Sequence, residues 1–122
     1  MSVLLDSVIL IDHLNGIPAA TRYLAEQQTA VISLVTRAEV MSGPIVPSPA
    51  VVSEWLDRFS VLPLTRETAD FAAGLRRTYR WKLPDAFQAA LALLSGRQLA
   101  TRNTRDFPPA THTFVVVPYV LK

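Results

Sequence analysis

Short apolar runs alternate with amphipathic stretches along the chain, and this alternation predicts the order of its elements. Continuous apolar runs of strand length occupy residues 2–6, 29–35, 60–64, 98–101 and 113–121. Stretches with apolar residues at helical spacing lie between them, at residues 7–16, 18–27, 36–43, 50–59, 65–79 and 83–96. Strands that alternate with helices form βαβ units. The pattern therefore predicts an α/β fold with a mostly parallel five-stranded sheet and helices on both faces.

Length and composition agree with this fold and exclude several other classes. The 122 residues predict one domain, residues 1–122, and a hydrophobic content of 50% excludes a disordered chain. The absence of cysteine excludes a disulfide scaffold and a thiolate metal site. No stretch approaches the ~20 apolar residues that cross a bilayer, and the N-terminus has no basic leader. We therefore expect a cytoplasmic protein without membrane contact.

The net charge of +2 is unevenly distributed along the chain. Residues 66–105 contain eight basic and three acidic side chains, whereas residues 1–65 contain three arginines and six acids. Such an asymmetry is typical of proteins with a polyanionic partner, although a solvated basic helix face explains the charge alone equally well. A proline-rich segment, residues 43–49, separates two of the helical stretches and is predicted to be a loop or lid.

Acidic residues stand where an open α/β sheet places its ligand site, outside the carboxyl ends of the strands. They follow the first, second and fourth predicted strands or begin the long Ala/Leu helix, and they are Asp6, Glu39, Asp85 and Asp106. Each has a local structural explanation as a helix cap, a charge at a helix N-terminus or a turn residue. Convergence of all four requires compensation by protons or cations, because neighbouring carboxylates repel one another.

Mg²⁺ or Mn²⁺ is the cation that such a set of oxygen ligands favours. Zinc is a poor candidate because the chain has no cysteine and only two histidines. A pair of such ions about 3.5–4 Å apart suits phosphodiester hydrolysis. The chain contains no nucleophile elbow of the G-x-S-x-G type, no P-loop and no dinucleotide-binding fingerprint, which excludes the chemistries that depend on them.

Four segments together resemble the PIN-domain nucleases, and among them the VapC-type toxins of bacterial toxin–antitoxin pairs. They are "LLDSVILIDHL", the turn from Thr36 to Glu39, "LPDAFQAALAL" and "LATRNTRDF", in the order and spacing of that family. The resemblance implies a PIN-like three-layer α/β/α fold and a Mg²⁺- or Mn²⁺-dependent endoribonuclease. It also implies an RNA substrate, a cognate VapB-type antitoxin in the active-site groove, and a homodimer or a higher assembly with the antitoxin.

The resemblance also assigns roles to individual residues. The catalytic and metal-binding positions match Asp6, Glu39, Asp85 and Asp106, and Asn103 matches a polar metal-site position beside the last of these acids. Ser7 and Thr101 stand where a hydroxyl orients metal-bound water. Arg102 and Arg105 flank the acids, and we expect them to contact RNA phosphate, to neutralise the acids, or both.

An antitoxin needs an apolar surface, and the sequence offers candidates for it. They are Leu14, Ile17, Tyr23, Leu24, Trp55 and Phe59, which also suit the core or a dimer interface. Two other functions remain open: a PIN-fold nuclease of RNA maturation, and an inactive α/β binding module whose acids merely cap helices. A phospho-acceptor domain built on Asp6 is disfavoured because no second aspartate lies two residues on.

Overall fold

The computed structural model describes residues 2–43 and 48–121, so most of the predicted loop or lid at residues 43–49 lies outside the described residues. The strands are β1 (Leu4–Leu5), β2 (Val31–Ser33), β3 (Ser60–Leu62), β4 (Leu99–Ala100) and β5 (Val115–Val116). The helices are α1 (Ser7–Leu14), α2 (Pro18–Glu26), α3 (Leu34–Ser42), α4 (Pro49–Leu56), α5 (Arg66–Tyr79) and α6 (Leu83–Ser95). None of the helices in this described part is long and apolar enough to span a membrane.

The described strands form one sheet in the order β3-β2-β1-β4-β5, and every pairing is parallel. The predicted α/β class is therefore confirmed, and the sheet is parallel throughout rather than mostly so. The chain builds outward from β1 to β3 on one side and then returns to add β4 and β5 on the other. The strand order thus reverses at β1, and open α/β sheets bind their ligands at such a reversal.

Helices cover both faces of the sheet, which gives the three-layer architecture expected from the resemblance. Neighbouring strand residues point to opposite faces, and Leu4 joins the core beneath α5 and α6, whereas Leu5 joins the core beneath α1, α3 and α4. Both leucines are fully buried. A two-residue strand therefore contributes one side chain to each core.

Strands are shorter than the apolar runs predict, and at several of them a capping residue or a proline ends the run early. Asp6 caps α1 one residue after β1, and Ser33 caps α3 at the end of β2. Pro118 has no N–H for a ladder hydrogen bond, which agrees with the end of β5 at Val116. The cap also corrects the start of α3, predicted at Thr36 but observed at Leu34.

The earlier start of α3 changes the environment of Glu39. The Ser33 hydroxyl accepts the Thr36 N–H at 3.0 Å, so the cap is Ser33. The predicted capping box between Thr36 and Glu39 is therefore wrong. Glu39 lies in the second turn of α3 instead of the first, and its carboxylate is available for contacts outside its own helix.

Candidate active site

Asp6 lies at the junction of β1 and α1, at the carboxyl end of the central strand. It is 5% exposed, and its extended backbone makes it the N-cap of α1. Its carboxylate accepts hydrogen bonds from the Ser7 N–H at 2.9 Å, the Thr101 hydroxyl at 2.6 Å and Gln88 Nε2 at 3.2 Å. Asp6 is thus held in one orientation by neutral donors from α1, α6 and the end of β4.

Gln88 links the central strand to the two helices that supply the other acids. Its Oε1 accepts from the Ser33 hydroxyl at 2.6 Å, and its Nε2 donates to Thr36 Oγ1 at 2.6 Å. The Thr36 hydroxyl in turn donates to the Leu5 carbonyl at 3.1 Å. Sequence reasoning missed this network, although one amide in an apolar Ala/Leu helix was an available signal. A buried amide whose ends have different partners fixes the direction of every bond around it.

Glu39 projects from α3 toward the same edge of the sheet. Ser7 Oγ donates to Glu39 Oε1 at 3.1 Å, which places the predicted hydroxyl between two of the predicted acids. Burial is the main cause of the raised pKa of Glu39, and the negative charge of Asp6 adds to it, while the Ser7 hydrogen bond opposes the rise. The charge on Asp6 therefore affects the pKa of Glu39.

Asp85 lies in the first turn of α6, and the charges of the other three predicted acids all affect its pKa. Burial is the largest cause of its raised pKa, which reaches about 6. The negative charges of Asp6, Asp106 and Glu39 contribute in the same direction, and only the positive charge of Lys82 opposes them. The four acids, far apart in sequence, thus share one electrostatic environment. We call them the acidic cluster.

Asp106 and Asn103 form a compact turn after β4. Asn103 Nδ2 donates to Asp106 Oδ2 at 3.0 Å, and the Asp106 N–H donates to Asn103 Oδ1 at 3.3 Å. Two further bonds hold the turn: the Asn103 N–H donates to Thr101 Oγ1 at 3.0 Å, and Trp81 Nε1 donates to the Asp106 carbonyl at 2.9 Å. The Asn103 side chain and Asp106 therefore hold each other in place through two hydrogen bonds.

No member of the acidic cluster forms an ion pair in the part of the chain that the structure describes. The ion pairs found there join Arg37 to Asp57 and Arg102 to Asp12, and neither includes a member of the cluster. In residues 2–43 and 48–121 no group of three or more His, Asp or Glu side chains is arranged to hold a metal ion. Neighbouring acids contribute to the raised pKa of Glu39 and of Asp85, while several carboxylates of the cluster accept hydrogen bonds from neutral donors of the protein.

Arg102 lies in a different place from the one that sequence reasoning gave it. Its Nε and Nη2 donate to the two carboxylate oxygens of Asp12 at 2.6 and 2.8 Å, and the Tyr119 hydroxyl donates to Asp12 at 2.8 Å. The arginine therefore neutralises Asp12, a buried residue of α1 that sequence reasoning did not single out, and not the acidic cluster. Arg105 is exposed, and its predicted contact with phosphate stays a prediction.

Burial alone would raise the pKa of Asp12, but the hydrogen bonds from Arg102 and Tyr119 outweigh it and lower that pKa. A bidentate arginine on a carboxylate is among the strongest polar contacts available to a protein. This pair ties α1 to the turn after β4, and Tyr119 adds the segment that follows β5. The sequence signal for it was one acid inside the apolar stretch of residues 7–14.

Two of the apolar residues predicted as an antitoxin surface, Leu14 and Trp55, line a groove between α1 and α4. Leu14, Tyr23, Leu24, Trp55 and Phe59 are partly buried against the core beneath these helices. The groove has a volume of about 330 Å³, and Leu14, Val51 and Trp55 are among the residues that line it, with charged Glu54 and Arg58. Val51 is 51% exposed and Val52 is buried, so α4 turns Val52, and not Val51, toward the core.

Comparisons with known proteins agree with this fold. The family model of the PIN domain matches residues 3–110. Ribonuclease VapC10 of Mycobacterium tuberculosis is 35% identical over 114 residues, which are 87% of this chain and 86% of that protein. Ribonuclease VapC19 of the same organism is 31% identical over 115 residues, which are 86% of this chain and 91% of that protein.

A solved structure gives the same answer in three dimensions. The toxin-antitoxin complex from Klebsiella pneumoniae matches with a TM-score of 0.89 and 36% identity, over 98% of this chain and 100% of that chain. A parallel α/β sheet with acids collected where the strand order reverses defines the class of protein. The chain belongs to the PIN-domain family, and its relatives place it among the VapC proteins of that family.

Proposed function

We propose that this protein is a VapC-type ribonuclease toxin that hydrolyses RNA phosphodiester bonds at the acidic cluster with Mg²⁺ or Mn²⁺. One observation carries the proposal: hydrogen bonds through Ser7, Thr101 and Asn103 connect the carboxylates of Asp6, Glu39 and Asp106. The charges of these three acids also contribute to the raised pKa of Asp85. Four residues that merely cap their own helices have no reason to converge in this way. The relatives named ribonucleases and the related toxin-antitoxin complex support the same activity.

The donor set suits a hard divalent cation. Carboxylate oxygens are the ligands that Mg²⁺ and Mn²⁺ prefer. Among the described residues, Lys82 is the one cation whose charge lowers the pKa of Asp85. Asp6, Glu39, Asp85 and Asp106 would hold the cation, with Asn103 beside the last of them. Such an ion, when bound, polarises the phosphate and activates water for attack.

The remaining polar residues hold this site in position. Thr101 and Gln88 fix the carboxylate of Asp6, and the hydroxyl of Ser7 fixes that of Glu39. Asn103 holds Asp106 within its turn. Bonds to neutral donors leave the carboxylates charged, which an ion pair with Lys or Arg would have neutralised. RNA phosphate approaches through Arg105, the exposed one of the two predicted arginines.

The antitoxin partner follows from the complex to which this chain is similar. The groove between α1 and α4 combines an apolar floor with charged Glu54 and Arg58, and an amphipathic helix of a VapB-type antitoxin suits such a groove. Homodimerisation, implied by the family resemblance, is part of the proposal and is tested by the mass of the isolated protein in solution.

Cleavage of RNA by the purified protein tests the activity. We expect hydrolysis with Mg²⁺ or Mn²⁺ and none in EDTA, and we expect Asp85→Asn to lower the rate about 10²–10⁴-fold. Asp70→Asn, at an exposed acid on α5, is the matched control and should cleave like the unmodified protein. Equal rates for Asp85→Asn and the unmodified protein would refute the assignment of the acidic cluster.

Two further measurements separate the alternatives. Calorimetry with Mn²⁺ should show binding to the unmodified protein, and absence of binding at millimolar Mn²⁺ would support an inactive binding module. Expression of the toxin should arrest growth, and co-expression of the antitoxin gene expected immediately upstream should relieve the arrest. RNA cleavage without arrest and without such a gene would indicate a nuclease of RNA maturation.

A further inference from the structure

The turn between α5 and α6 combines an exposed aromatic ring with basic side chains next to the acidic cluster. Tyr79 is 46% exposed. Its basic neighbours Arg76, Arg80 and Lys82 are exposed as well. We call these four residues the Tyr79 platform. Aromatic rings flanked by basic residues are the usual means by which proteins hold single-stranded nucleic acid.

Two contacts place the platform beside the site. The Tyr79 ring stacks on Trp81 with centroids 4.5 Å apart and planes at 17°, and Trp81 Nε1 donates to the Asp106 carbonyl. At the other end, the positive charge of Lys82 lowers the pKa of Asp85, so the ammonium group is near that carboxylate. The Tyr79 platform therefore lies beside two members of the acidic cluster, Asp85 and Asp106.

The backbone at Arg80 provides a second, independent observation. Arg80 has φ 61° and ψ 27°, and it is the only residue other than glycine with positive φ in the described part of the chain. The other two described positions with positive φ, Gly16 and Gly96, are glycines. A left-handed conformation is unfavourable for arginine, and such strain is commonly retained where the side chain has a function. The turn alone would favour glycine, whereas a contact with phosphate requires the guanidinium.

Arg76 completes the basic rim. Its Nη1 donates to the Trp81 carbonyl at 2.8 Å, which holds the guanidinium beside the stacked rings. A guanidinium has several N–H donors, and this bond uses one of them. Arg76 is thus held in place and still able to contact an anion.

We infer that the Tyr79 platform binds single-stranded RNA, with one base stacked on Tyr79 and the flanking phosphates held by Arg76, Arg80 and Lys82. The inference rests on the proposed ribonuclease function, because it assigns the surface that leads the substrate to the acidic cluster. It also makes Tyr79 a residue that selects unpaired RNA, since a base within a duplex has no free face for stacking.

Binding is measured without cleavage, so that the two proposals fail separately. The probe is an RNA of about 12 nucleotides, of mixed sequence, labelled with fluorescein and titrated in EDTA. We expect Tyr79→Leu to weaken binding about fivefold or more, and Tyr79→Phe to bind like the unmodified protein. The matched control is Phe71→Leu, at an exposed aromatic residue of the same helix that lies beside Glu67 and Asp70 and should not affect binding.

Arg80→Gly separates an RNA contact from a structural role. Glycine accepts the left-handed backbone, so the Tm should stay the same or rise. Binding should weaken, and the slope of log Kd against log salt concentration should fall by about 0.7 for each phosphate that the variant no longer neutralises. Arg80→Lys should recover part of the affinity because it restores the charge.

Equal affinity of Tyr79→Leu and the unmodified protein, an equal loss in Phe71→Leu, or no RNA binding in EDTA would each overturn the platform. Cleavage by the unmodified protein in Mn²⁺ would leave the proposed function intact in all three cases. Conversely, binding through Tyr79 without any cleavage in Mn²⁺ would support the platform and refute the nuclease assignment.

Discussion

Asp12 on α1 and Asp85 on α6 are both acids, yet their environments are opposite. Asp12 is 6% exposed and receives a bidentate arginine and a tyrosine hydroxyl, so its pKa is lowered despite its burial. Asp85 is surrounded by like charges, and burial and those charges raise its pKa to about 6. Asp12 forms an ion pair, whereas Asp85 forms none among the described residues.

The ion pair, rather than burial, therefore distinguishes the acid with a structural role from the acid with a proposed functional role. Asp12, Arg102 and Tyr119 compensate one another, and the compensated group links three segments of the chain. The acidic cluster opposes folding at neutral pH unless protons or a cation arrive from solution. A protein retains such an arrangement at a cost in stability when the missing charge is part of its activity.

The same substitution at the two acids should have opposite effects on stability, and this is the largest difference we expect. Asp12→Asn leaves Arg102 without its partner and should lower the free energy of unfolding by about 2–3 kcal/mol. Asp85→Asn removes repulsion and should raise it by about 1 kcal/mol at pH 7.5. Urea denaturation at that pH measures both values. A stabilising Asp12→Asn would contradict the comparison.

The exposed ion pair of Arg37 and Asp57 provides the control for Asp12. Its Asp57 side chain is 67% exposed, and surface pairs contribute about 0–1 kcal/mol. Asp57→Asn should therefore change the free energy of unfolding by less than Asp12→Asn does. A similar loss at both positions would show that burial of Asp12 adds nothing to its ion pair.

The pH dependence of stability should also differ between the two acids. Between the ordinary pKa of 3.8 and about 6, the folded state holds a proton on Asp85 that the unfolded state has released. The free energy of unfolding should therefore fall as pH rises through this window, by about 1–2 kcal/mol after allowance for screening by solvent. Asp85→Asn should remove this part of the slope in urea denaturation from pH 4 to pH 7.

Asp12 should act at lower pH and with the opposite sign. Its pKa is lowered in the folded state, so its stabilisation is complete above the unfolded value of 3.8 and is lost as pH falls below it. Asp12→Asn should therefore flatten the acid limb of the stability curve and leave the slope from pH 4 to pH 7 unchanged. If Asp12→Asn changed the slope from pH 4 to pH 7 instead, Asp12 would be the acid responsible for the slope that is assigned to Asp85.

Mn²⁺ should stabilise the protein through one of the two regions only. A tenfold excess over its Kd should raise the free energy of unfolding by about 1.4 kcal/mol at pH 7.5. Asp12→Asn should show the same increment, and Asp85→Asn a smaller one. Thermal denaturation with and without Mn²⁺ measures this, and equal increments in all three proteins would place the cation elsewhere.

Tyr119→Phe should have a smaller effect on stability than Asp12→Asn. It removes one hydrogen bond to a carboxylate that keeps its bidentate arginine, which should cost about 1 kcal/mol. The change should leave RNA cleavage unaltered, because Tyr119 contacts Asp12 and not the acidic cluster. Loss of cleavage at unchanged stability would show that the segment after β5 affects the site.

Much of the fold and the placement of the acids could be predicted from the sequence. Strands that alternate with helices restrict the chain to a parallel sheet, and a parallel sheet brings the residues after each strand to one edge. The acidic residues at Asp6 and Asp106 follow directly from that rule. Element boundaries were less accurate, because both Ser33 and Thr36 fit a helix cap and only the folded chain selects between them.

The polar partners could not be predicted, since pairing depends on tertiary contacts. Arg102 lies beside Asn103 in sequence, yet it pairs with Asp12, which is 90 residues away along the chain. Gln88 contacts Asp6 across 82 residues. A local pattern identifies a charged or amide side chain as unusual in its apolar surroundings, but it does not say which of several distant groups it reaches.

Gln88 also links Asp6 to the helix that carries Asp85. Asp85 and Gln88 lie three residues apart on α6 and therefore on the same side of one helical turn. The first belongs to the acidic cluster, and the second holds Asp6 at 3.2 Å. This hydrogen bond ties the orientation of Asp6 to the turn of α6 that begins with Asp85. Remodelling a loop would leave this link in place, whereas a substitution at Gln88 would free Asp6 from α6 without moving Asp85.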